Sequence, residues 1–298
     1  MNIIITGSSG FVGQNVLKYL KKYGNIIDAL SLRKENWSLN KNANAIIHLA
    51  GKAHDVADAS DDREYYTVNT DLTAKLFDAF LKSEMRDFFY FSSVKASADS
   101  VAGTLKESDL PNPKTAYGKS KLAAEEYLLS HKLPENKRLF IIRPCMVHGP
   151  GNKGNLNLLY KFVEKGIPWP LAGFDNQRSF LSIDNLNFLL LKILITPDIP
   201  SGIYNFADDE TLATNAVVKI MANTAGKKEK LWKIDVSLIT KLAQVGDRLK
   251  LPLNTERLKK LTENYIVSNQ KIKNALHLKQ LPLTAEEGLI KTIKSFQK

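Results

Sequence analysis

The sequence predicts an α/β fold in which a parallel sheet is covered by helices on both faces. Short apolar runs at residues 1–5, 44–51 and 87–92 alternate with segments whose apolar residues recur at helical spacing, at residues 11–22 and 62–83. Unbroken apolar runs are typical of strands that are buried on both faces, as in parallel sheets. With 298 residues, of which 44% are hydrophobic, the chain can bury one large core and a smaller appended region.

A glycine-rich turn follows the first of these strands. Residues 6–13 read Thr-Gly-Ser-Ser-Gly-Phe-Val-Gly and run directly into the first predicted helix. In a nucleotide-binding unit the three glycines permit a tight turn, approach of the backbone to a pyrophosphate, and close packing of helix on strand. The helix N-terminus offers free N–H groups to the phosphates. This order predicts a Rossmann-type, doubly wound sheet that binds a dinucleotide through Gly7, Ser9, Gly10, Phe11, Val12 and Gly13.

The second strand, predicted at residues 26–32, bears on the choice of cofactor. An acidic residue at this strand end binds the ribose 2′-hydroxyl of NAD, whereas a basic one accommodates the 2′-phosphate of NADP. The strand ends in Ser31-Leu32-Arg33-Lys34, and Asp28 lies earlier, within the strand. Ser31 and Arg33 therefore favour NADP slightly over NAD, and the alternative is that Arg33 and Lys34 are solvated loop cations.

A tyrosine and a lysine four residues apart form the most informative motif. Residues 117–126 have a helical pattern that places Tyr117 and Lys121 on one helix face. A phenol with a pKa near ~10 is a weak acid–base group at neutral pH, and a neighbouring ammonium lowers that pKa. A serine hydroxyl on the substrate oxygen would complete a proton-transfer site. The unusually long loop at residues 94–114, after the Ser92-Ser93 pair, is of a kind that often borders active sites.

Together these motifs resemble the extended short-chain dehydrogenase/reductases, in the branch of sugar-nucleotide epimerases and dehydratases. The resemblance covers essentially the whole chain, and its matching segments are residues 6–13, His48-Leu49-Ala50, Asn69, Ser92-Ser93, Tyr117 with Lys121, residues 143–151 and residues 177–184.

The resemblance assigns roles to individual residues. It implies that Tyr117 is the acid–base, that Lys121 binds the nicotinamide ribose and lowers the pKa of Tyr117, and that the active-site serine is Ser93 rather than Ser92. Further cofactor contacts are implied at Leu49, Ala50, Gly51, Asn69, Pro144 and Val147. Substrate contacts are implied at Ser93, Lys95, Asn155 and Arg178.

Within this branch, residues 92–95, 149–155 and 167–171 resemble the nucleotide-sugar 4-ketoreductases and 4-epimerases of surface-polysaccharide synthesis. The implied substrate is a UDP-sugar that reacts at C4. A 4-epimerase must retain its NAD, and the missing acid at Ser31 and the truncated segment between Arg33 and Asn44 weaken that retention. We therefore expect an NAD(P)-dependent 4-ketoreductase, with a UDP-sugar 4-epimerase as the alternative and a non-catalytic nucleotide sensor as a distant one.

Composition excludes other classes of protein. A single cysteine, Cys145, allows neither a disulfide framework nor a cysteine-based metal site, and no metal is expected. No apolar stretch reaches membrane-spanning length and no signal peptide is visible, so we expect a cytoplasmic protein with no integral membrane segment.

The net charge of +11 includes many lysines of the last third, which are spread through amphipathic helices. A solvated basic surface is the preferred interpretation, without a nucleic-acid partner, and a homodimer is possible.

The predicted organisation has two regions. Residues 1–150 form the dinucleotide-binding domain, and residues 151–298 form a mostly helical substrate-binding region, from which residues 185–210 return a strand to the first domain. Helices are predicted in the second region at residues 214–225, 236–249, 255–262 and 285–296.

Overall fold

The computed structural model describes residues 1–34, 36–52, 61–152, 154–249 and 253–297. Lys153, in the 149–155 motif, lies outside the described residues. The strands are β1 (Asn2–Thr6), β2 (Ile26–Leu30), β3 (Ala45–His48), β4 (Asp87–Phe91), β5 (Thr104–Leu105), β6 (Arg138–Pro144), β7 (Met146–His148), β8 (Arg178–Ser182), β9 (Gly202–Phe206), β10 (Thr211–Leu212) and β11 (Ile266–Val267). The α-helices are α1 (Phe11–Lys22), α2 (Asp62–Tyr66), α3 (Leu72–Leu81), α4 (Ala116–Leu129), α5 (Asn155–Glu164), α6 (Ile183–Ile195), α7 (Thr214–Thr224), α8 (Val236–Leu249), α9 (Thr255–Thr262), α10 (Gln270–Ala275) and α11 (Ala285–Phe296).

Six parallel strands form the central sheet in the order β2-β1-β3-β4-β6-β9. The chain runs from β1 outward to β2 and then crosses back to β3 on the other side of β1. Ligands of open α/β sheets bind outside the carboxyl ends of the strands at such a reversal. The predicted α/β fold is confirmed, and its crevice lies where the glycine-rich turn and residues 49–51 emerge.

Side chains of β1 alternate between the two faces of the sheet. Ile3 and Ile5 are fully buried in a cluster with Val16 of α1 and with residues of α6. Ile4 lies in the opposite cluster with Phe77 of α3 and residues of α4. Full burial of each isoleucine contributes about 1.5–3 kcal/mol relative to exposure, so both helical layers hold the sheet in place.

A separate apolar cluster lies beyond residue 150. It joins α5, α7, α8 and α11 through buried residues such as Leu156, Met221, Ile239 and Ile293. Beside it lies a small sheet with the strand order β10-β8-β7, and a second short pairing links β11 to β5. The last pairing ties the loop that follows β4 to the C-terminal part of the chain.

The structure departs from the sequence expectations in two places that border the crevice. The helix predicted at residues 62–83 is interrupted by a π-helical turn at Thr67–Asp71, between α2 and α3. The long loop predicted at residues 94–114 contains a 3₁₀ turn at Val94–Ala96 and the strand β5. Backbone hydrogen bonds to neighbouring segments, rather than local propensity, produce the short strand.

Candidate active site

The glycine-rich turn forms a cradle in which side chains would clash. Gly7 has a φ of +67°, and a Cβ built on it would lie 2.6 Å from the Ala50 nitrogen. A Cβ on Gly13 would lie 2.2 Å from the Gly7 carbonyl oxygen, so α1 packs directly on the turn. Helix α1 follows Gly10, which provides no side-chain cap for the first N–H groups of the helix. Free N–H groups at a helix start, beside bare backbone, fit the pyrophosphate of a dinucleotide.

The carboxyl end of β3 forms the adjacent wall of the crevice. A Cβ on Gly51 would lie 2.9 Å from Asn69 Oδ1 and 3.1 Å from Lys121 Nζ. The predicted cofactor residues Leu49, Ala50 and Gly51 are therefore brought together with Asn69 and Lys121. The absence of a side chain at residue 51 leaves the lysine ammonium next to bare backbone.

The π-helical turn holds Asn69 in this wall. Its Oδ1 accepts a hydrogen bond from the Lys52 backbone nitrogen at 2.8 Å, and its Nδ2 donates to Ser120 Oγ at 3.0 Å. Asn69 is fully buried and links the segment after β3 to α4. Single π turns inside helices are frequent at functional sites, and this one turns the amide toward the strand ends.

His48 lies beneath the crevice as a structural residue. Its Nδ1 lies 2.6 Å from Thr6 Oγ1, and its Nε2 lies 2.9 Å from Thr73 Oγ1. Burial lowers the pKa of His48 to about 3, and the charge of Lys121 acts in the same direction. The imidazole is therefore neutral near neutral pH and serves to join β1, β3 and α3.

Tyr117 and Ser93 are brought together at the start of α4. The Thr115 hydroxyl caps this helix by accepting from the Gly118 nitrogen at 3.2 Å. Burial raises the pKa of the Tyr117 phenol, and a hydrogen bond with Ser93 partly offsets this effect. The surrounding protein therefore keeps the phenol protonated near neutral pH, and lowering of its pKa by Lys121 stays a prediction.

Lys121 is almost completely buried, with 4% of its surface exposed. Its Nζ donates to the Phe91 carbonyl oxygen at 2.9 Å and lies 4.9 Å from the centre of the Tyr90 ring. Burial lowers the pKa of Lys121 to about 8, and the carboxylate of Glu125 opposes this shift. Lys121 is therefore mostly protonated at neutral pH, although its pKa of about 8 lies close to that pH.

A buried network of charged and polar side chains lies around Glu125, one helical turn after Lys121 in α4. Arg143 Nη2 lies 2.5 Å from Glu125 Oε2, and both side chains are 1% exposed. Ser92 donates to the other oxygen of the same carboxylate. The adjacent serines are thereby separated: Ser92 faces Glu125, and Ser93 faces Tyr117. Glu125 was not among the site residues predicted from the sequence, although its position four residues after Lys121 places it on the same helix face.

The predicted substrate residues Lys95 and Arg178 lie around Tyr265. Lys95 Nζ lies 4.2 Å from the centre of the Tyr265 ring and donates to the Asp99 carbonyl oxygen at 2.7 Å. Burial lowers the pKa of Lys95, and the carboxylates of Glu263 and Asp99 oppose this shift. The charge of Arg178, which forms a β-bridge with Tyr265, has a smaller lowering effect. Lys95 and Arg178 therefore share a partly desolvated site with two carboxylates, and binding of an anionic ligand by these cations stays a prediction.

The other predicted site residues lie in five separate segments of the chain. Ser31 and Arg33 are exposed after β2, and none of residues 31–34 is acidic. Pro144 ends β6, Val147 lies in β7, and Asn155 is the exposed first residue of α5. The remaining loop residues, Ser9, Phe11 and Val12, lie at the start of α1.

Cys145 is buried beside these strands, and burial raises the pKa of its thiol well above the usual range. A buried, protonated thiol is a weak nucleophile, so Cys145 contributes only to the wall. Among the described residues, no group of three histidine, cysteine or carboxylate side chains could hold a metal ion.

The chain is similar to known proteins over nearly its whole length. The chain is 29% identical to a UDP-glucose 4-epimerase of Vibrio cholerae over 324 aligned positions, which cover 99% of this chain and 95% of that protein. Its fold matches the UDP-glucuronic acid 4-epimerase of Bacillus cereus in complex with NAD, with a TM-score of 0.77, 18% identity and coverage of 100% and 99% of the two chains. It also matches RMD of Pseudomonas aeruginosa complexed with NADPH, with a TM-score of 0.76, 19% identity and coverage of 99% of each chain.

A glycine-rich turn between the first strand of a parallel sheet and its helix is typical of NAD(P)-binding enzymes. The model of the NAD dependent epimerase/dehydratase family matches residues 3–207, and the chain belongs to that family.

Proposed function

We propose that this chain reduces the 4-keto group of a UDP-hexose with NADPH, as a step in making a sugar for surface polysaccharide. The observation that carries the proposal is the pairing of Ser93 with a Tyr117 phenol that the protein keeps protonated. Reduction of a ketone needs a proton donor at the oxygen, and a protonated phenol within the crevice supplies one.

Three side chains have separate roles at the reacting oxygen. Tyr117 donates its proton to the C4 oxygen as that oxygen becomes negatively charged. The Ser93 hydroxyl holds the same oxygen, and its hydrogen bond to Tyr117 orients the phenol. The Lys121 ammonium stabilises the phenolate that remains after proton transfer, because an opposite charge favours the ionised form.

The cofactor residues are the glycine turn at 7–13, residues 49–51, Asn69 and Lys121, with Pro144 and Val147 on the far wall. When bound there, NADPH supplies the hydride, and the protein supplies position and electrostatic field. Exposed Arg33, beside Ser31, would hold a 2′-phosphate, which supports the preference for NADP over NAD.

The substrate diphosphate would lie against Lys95 and Arg178, and Asn155 would bind the adjacent sugar or phosphate. This placement is supported by the proximity of both residues to Tyr265, whose hydroxyl donates to the carbonyl oxygen of Val94, next to Ser93. In this placement the hexose extends from the diphosphate toward Ser93. The homodimer, the cytoplasmic location and the division of the chain near residue 150 stay predictions.

A second candidate is 4-epimerisation of a UDP-sugar with retained NAD. It is favoured by the Vibrio cholerae relative, which is named as a 4-epimerase and aligns over nearly the whole chain. The same residues would serve, but Tyr117 would first accept a proton from the C4 hydroxyl and later return it.

Replacement of Tyr117 by phenylalanine tests the assignment of the acid. A positioned general acid contributes about 10²- to 10⁴-fold, so Tyr117→Phe should lose activity by that factor while it still binds cofactor. Tyr66→Phe is the matched control, because Tyr66 is 38% exposed and lies outside the proposed machinery. Turnover near that of the wild type in Tyr117→Phe would refute the role of the phenol.

Mass spectrometry of the purified protein separates the two reactions. A reductase should be isolated without cofactor or with exchangeable NADPH, and should oxidise added NADPH only when a UDP-4-keto-hexose is present. Tightly retained NAD, together with interconversion of UDP-hexoses without added cofactor, would instead establish the epimerase.

A further inference from the structure

Helix α8 has two apolar stripes, only one of which packs against the protein. Ile239, Ala243 and Gly246 recur at helical spacing and are buried. A second stripe lies beside the first and faces solvent, with exposed fractions between 46% and 65%: Leu238, Leu242, Val245 and Leu249. At about 1.5 Å per residue, this second stripe is roughly 16 Å long.

Cationic side chains border this exposed stripe, and an exposed tryptophan precedes the helix in sequence. Lys241 and Arg248 lie three residues after Leu238 and Val245 respectively, which makes them neighbours on the helix surface. Trp232, which is 58% exposed, precedes the helix and is followed by the exposed Lys233.

The charge of the surrounding region is strongly positive. Residues 227–298 contain sixteen lysines and arginines but seven aspartates and glutamates, so most of the net charge of +11 arises there. The two carboxylates nearest the stripe accept hydrogen bonds from the chain itself: Asp235 from Ser237, and Asp247 from Thr255. Cations outnumber carboxylates across this region, so its net charge is positive.

We propose that the exposed stripe of α8 docks the enzyme on the surface of an anionic phospholipid bilayer. An amphipathic helix with leucines on one side and lysine or arginine at its border fits the boundary between headgroups and acyl chains. Anionic lipids attract each cation near the surface by about 1 kcal/mol. The stripe supplies apolar contact, and the basic region supplies attraction to the lipids.

Other occupants fit this surface less well. A nucleic acid would use the cations but gain little from a row of leucines, because its binding depends on phosphate contacts and base stacking. A second copy of this chain would cover the leucines but bring two strongly basic regions together, which repel each other. A bilayer matches both the apolar stripe and the charge.

In the described part of the chain no helix has the length and hydropathy needed to cross a bilayer. Docking through α8, which has fourteen residues, therefore places the helix in the plane of the membrane surface. Because Tyr117 and Lys121 belong to α4, the docking surface can be altered without changing the proton-transfer residues.

Co-sedimentation with lipid vesicles tests the proposal. The full chain should bind vesicles of phosphatidylcholine mixed equally with phosphatidylglycerol, should bind poorly to phosphatidylcholine alone, and should be released as salt is raised. Tryptophan emission should shift to the blue on binding, and most of that shift should disappear in Trp232→Phe. Leu110→Ser is the control variant: it alters a leucine that is 92% exposed and lies outside α8, and it should bind vesicles as the wild type does.

Two double variants separate the apolar and charged contributions. Leu242→Ser with Leu249→Ser should weaken binding roughly 100-fold, at about tenfold for each leucine withdrawn from the interface. Lys241→Gln with Arg248→Gln should weaken it by about 30-fold. All four substitutions are at exposed positions and should leave oxidation of NADPH with the 4-keto substrate unchanged.

Three results would overturn the proposal. The first is no binding of the wild-type protein to anionic vesicles at low salt. The second is binding that the leucine double variant leaves unchanged, which would reduce the effect to charge alone. The third is a wild-type dimer that the leucine variant converts to monomers, because the stripe would then be covered by a second copy. Loss of vesicle binding with full activity would leave the proposed function intact.

Discussion

Replacement of Glu125 by glutamine should shift the pH dependence of the enzyme. The carboxylate lies one helical turn after Lys121 and opposes the lowering of that lysine's pKa by burial. Two unit charges about 6 Å apart interact with about 3 kcal/mol at an effective dielectric constant of about 20, which corresponds to roughly 2 pKa units. Because Arg143 neutralises part of the carboxylate, we expect the pKa of Lys121 to fall by about 1–2 units in Glu125→Gln.

The direction of the shift follows from the charge that catalysis needs. Lys121 is cationic below its pKa and neutral above it, so activity should decline as pH rises through that value. In the wild-type enzyme this decline is centred near the Lys121 pKa of about 8, and in Glu125→Gln it should move to lower pH by about 1–2 units. The assay is kcat/KM for reduction of the 4-keto substrate, measured from acidic to alkaline pH.

The loss of stability in Glu125→Gln must be distinguished from the change in the pH dependence of its activity. Removal of the carboxylate leaves Arg143 as an unpaired buried charge, which costs about 3–5 kcal/mol. The double variant Glu125→Gln with Arg143→Met should regain most of that stability, because no unpaired charge remains, and should keep part of the pH shift. Ser92→Ala removes only a hydroxyl from the network and should leave the alkaline decline in place. A folded Glu125→Gln enzyme with an unshifted alkaline decline would refute the reasoning.

Three further predictions concern the cofactor loop and the buried histidine. Arg33→Asp should reduce the preference for NADPH over NADH by tenfold or more, because a charge-assisted hydrogen bond is worth about 1.5–3 kcal/mol; an unchanged ratio of kcat/KM values would show that Arg33 does not contact the phosphate. Gly13→Ala should lower the free energy of unfolding by about 1–3 kcal/mol and weaken nucleotide binding, because the new Cβ would lie 2.2 Å from the Gly7 oxygen. Thermal denaturation of the variant at the wild-type temperature would contradict this. His48 has its pKa lowered to about 3 from 6.5, so the unfolded chain binds a proton that the folded chain excludes, and stability should fall by up to about 1.4 kcal/mol per unit as pH drops from 6.5 toward 3. Denaturant titrations should show a flatter dependence in His48→Gln, while His277→Asn, at an exposed position, keeps the wild-type slope.

Much of the fold could be predicted because local patterns agree with tertiary packing. The predicted bounds of α1, α8, α9 and α11 coincide with the observed ones, since each helix buries a single apolar stripe. Helices α9 and α11 also begin at a side-chain cap, Asn254 and Thr284 respectively. The central strands were recognisable because strands covered on both faces are apolar throughout. The α5 and α6 helices were not assigned from sequence. In α6, apolar residues surround the helix, so no single stripe marks it.

The active site was predictable only where a motif lies within one segment. The spacing of Tyr117 and Lys121 could be read directly. The choice of Ser93 over Ser92 stays a prediction, which the hydrogen bond between Ser93 and Tyr117 favours. The ion pair of Glu125 with Arg143 joins residues eighteen positions apart, from a helix and a strand. No local pattern reports such a pairing. The π turn at Asn69 was likewise invisible, because its composition is compatible with an ordinary α-helix.

The edge strand β9 has a consequence for how the chain can be divided. Residues 202–206 complete the cofactor-binding sheet by pairing with β6, yet they are translated after α5 and β8. Helix α6, which also follows residue 150, covers one face of that sheet through Leu186, Leu189 and Leu190. A fragment that ends near residue 150 would expose β6 as a bare apolar edge and would aggregate rather than fold. Exchange of substrate specificity between relatives must therefore graft the inserted loops and helices, since a simple fusion of an N-terminal half to a foreign C-terminal half would break the sheet.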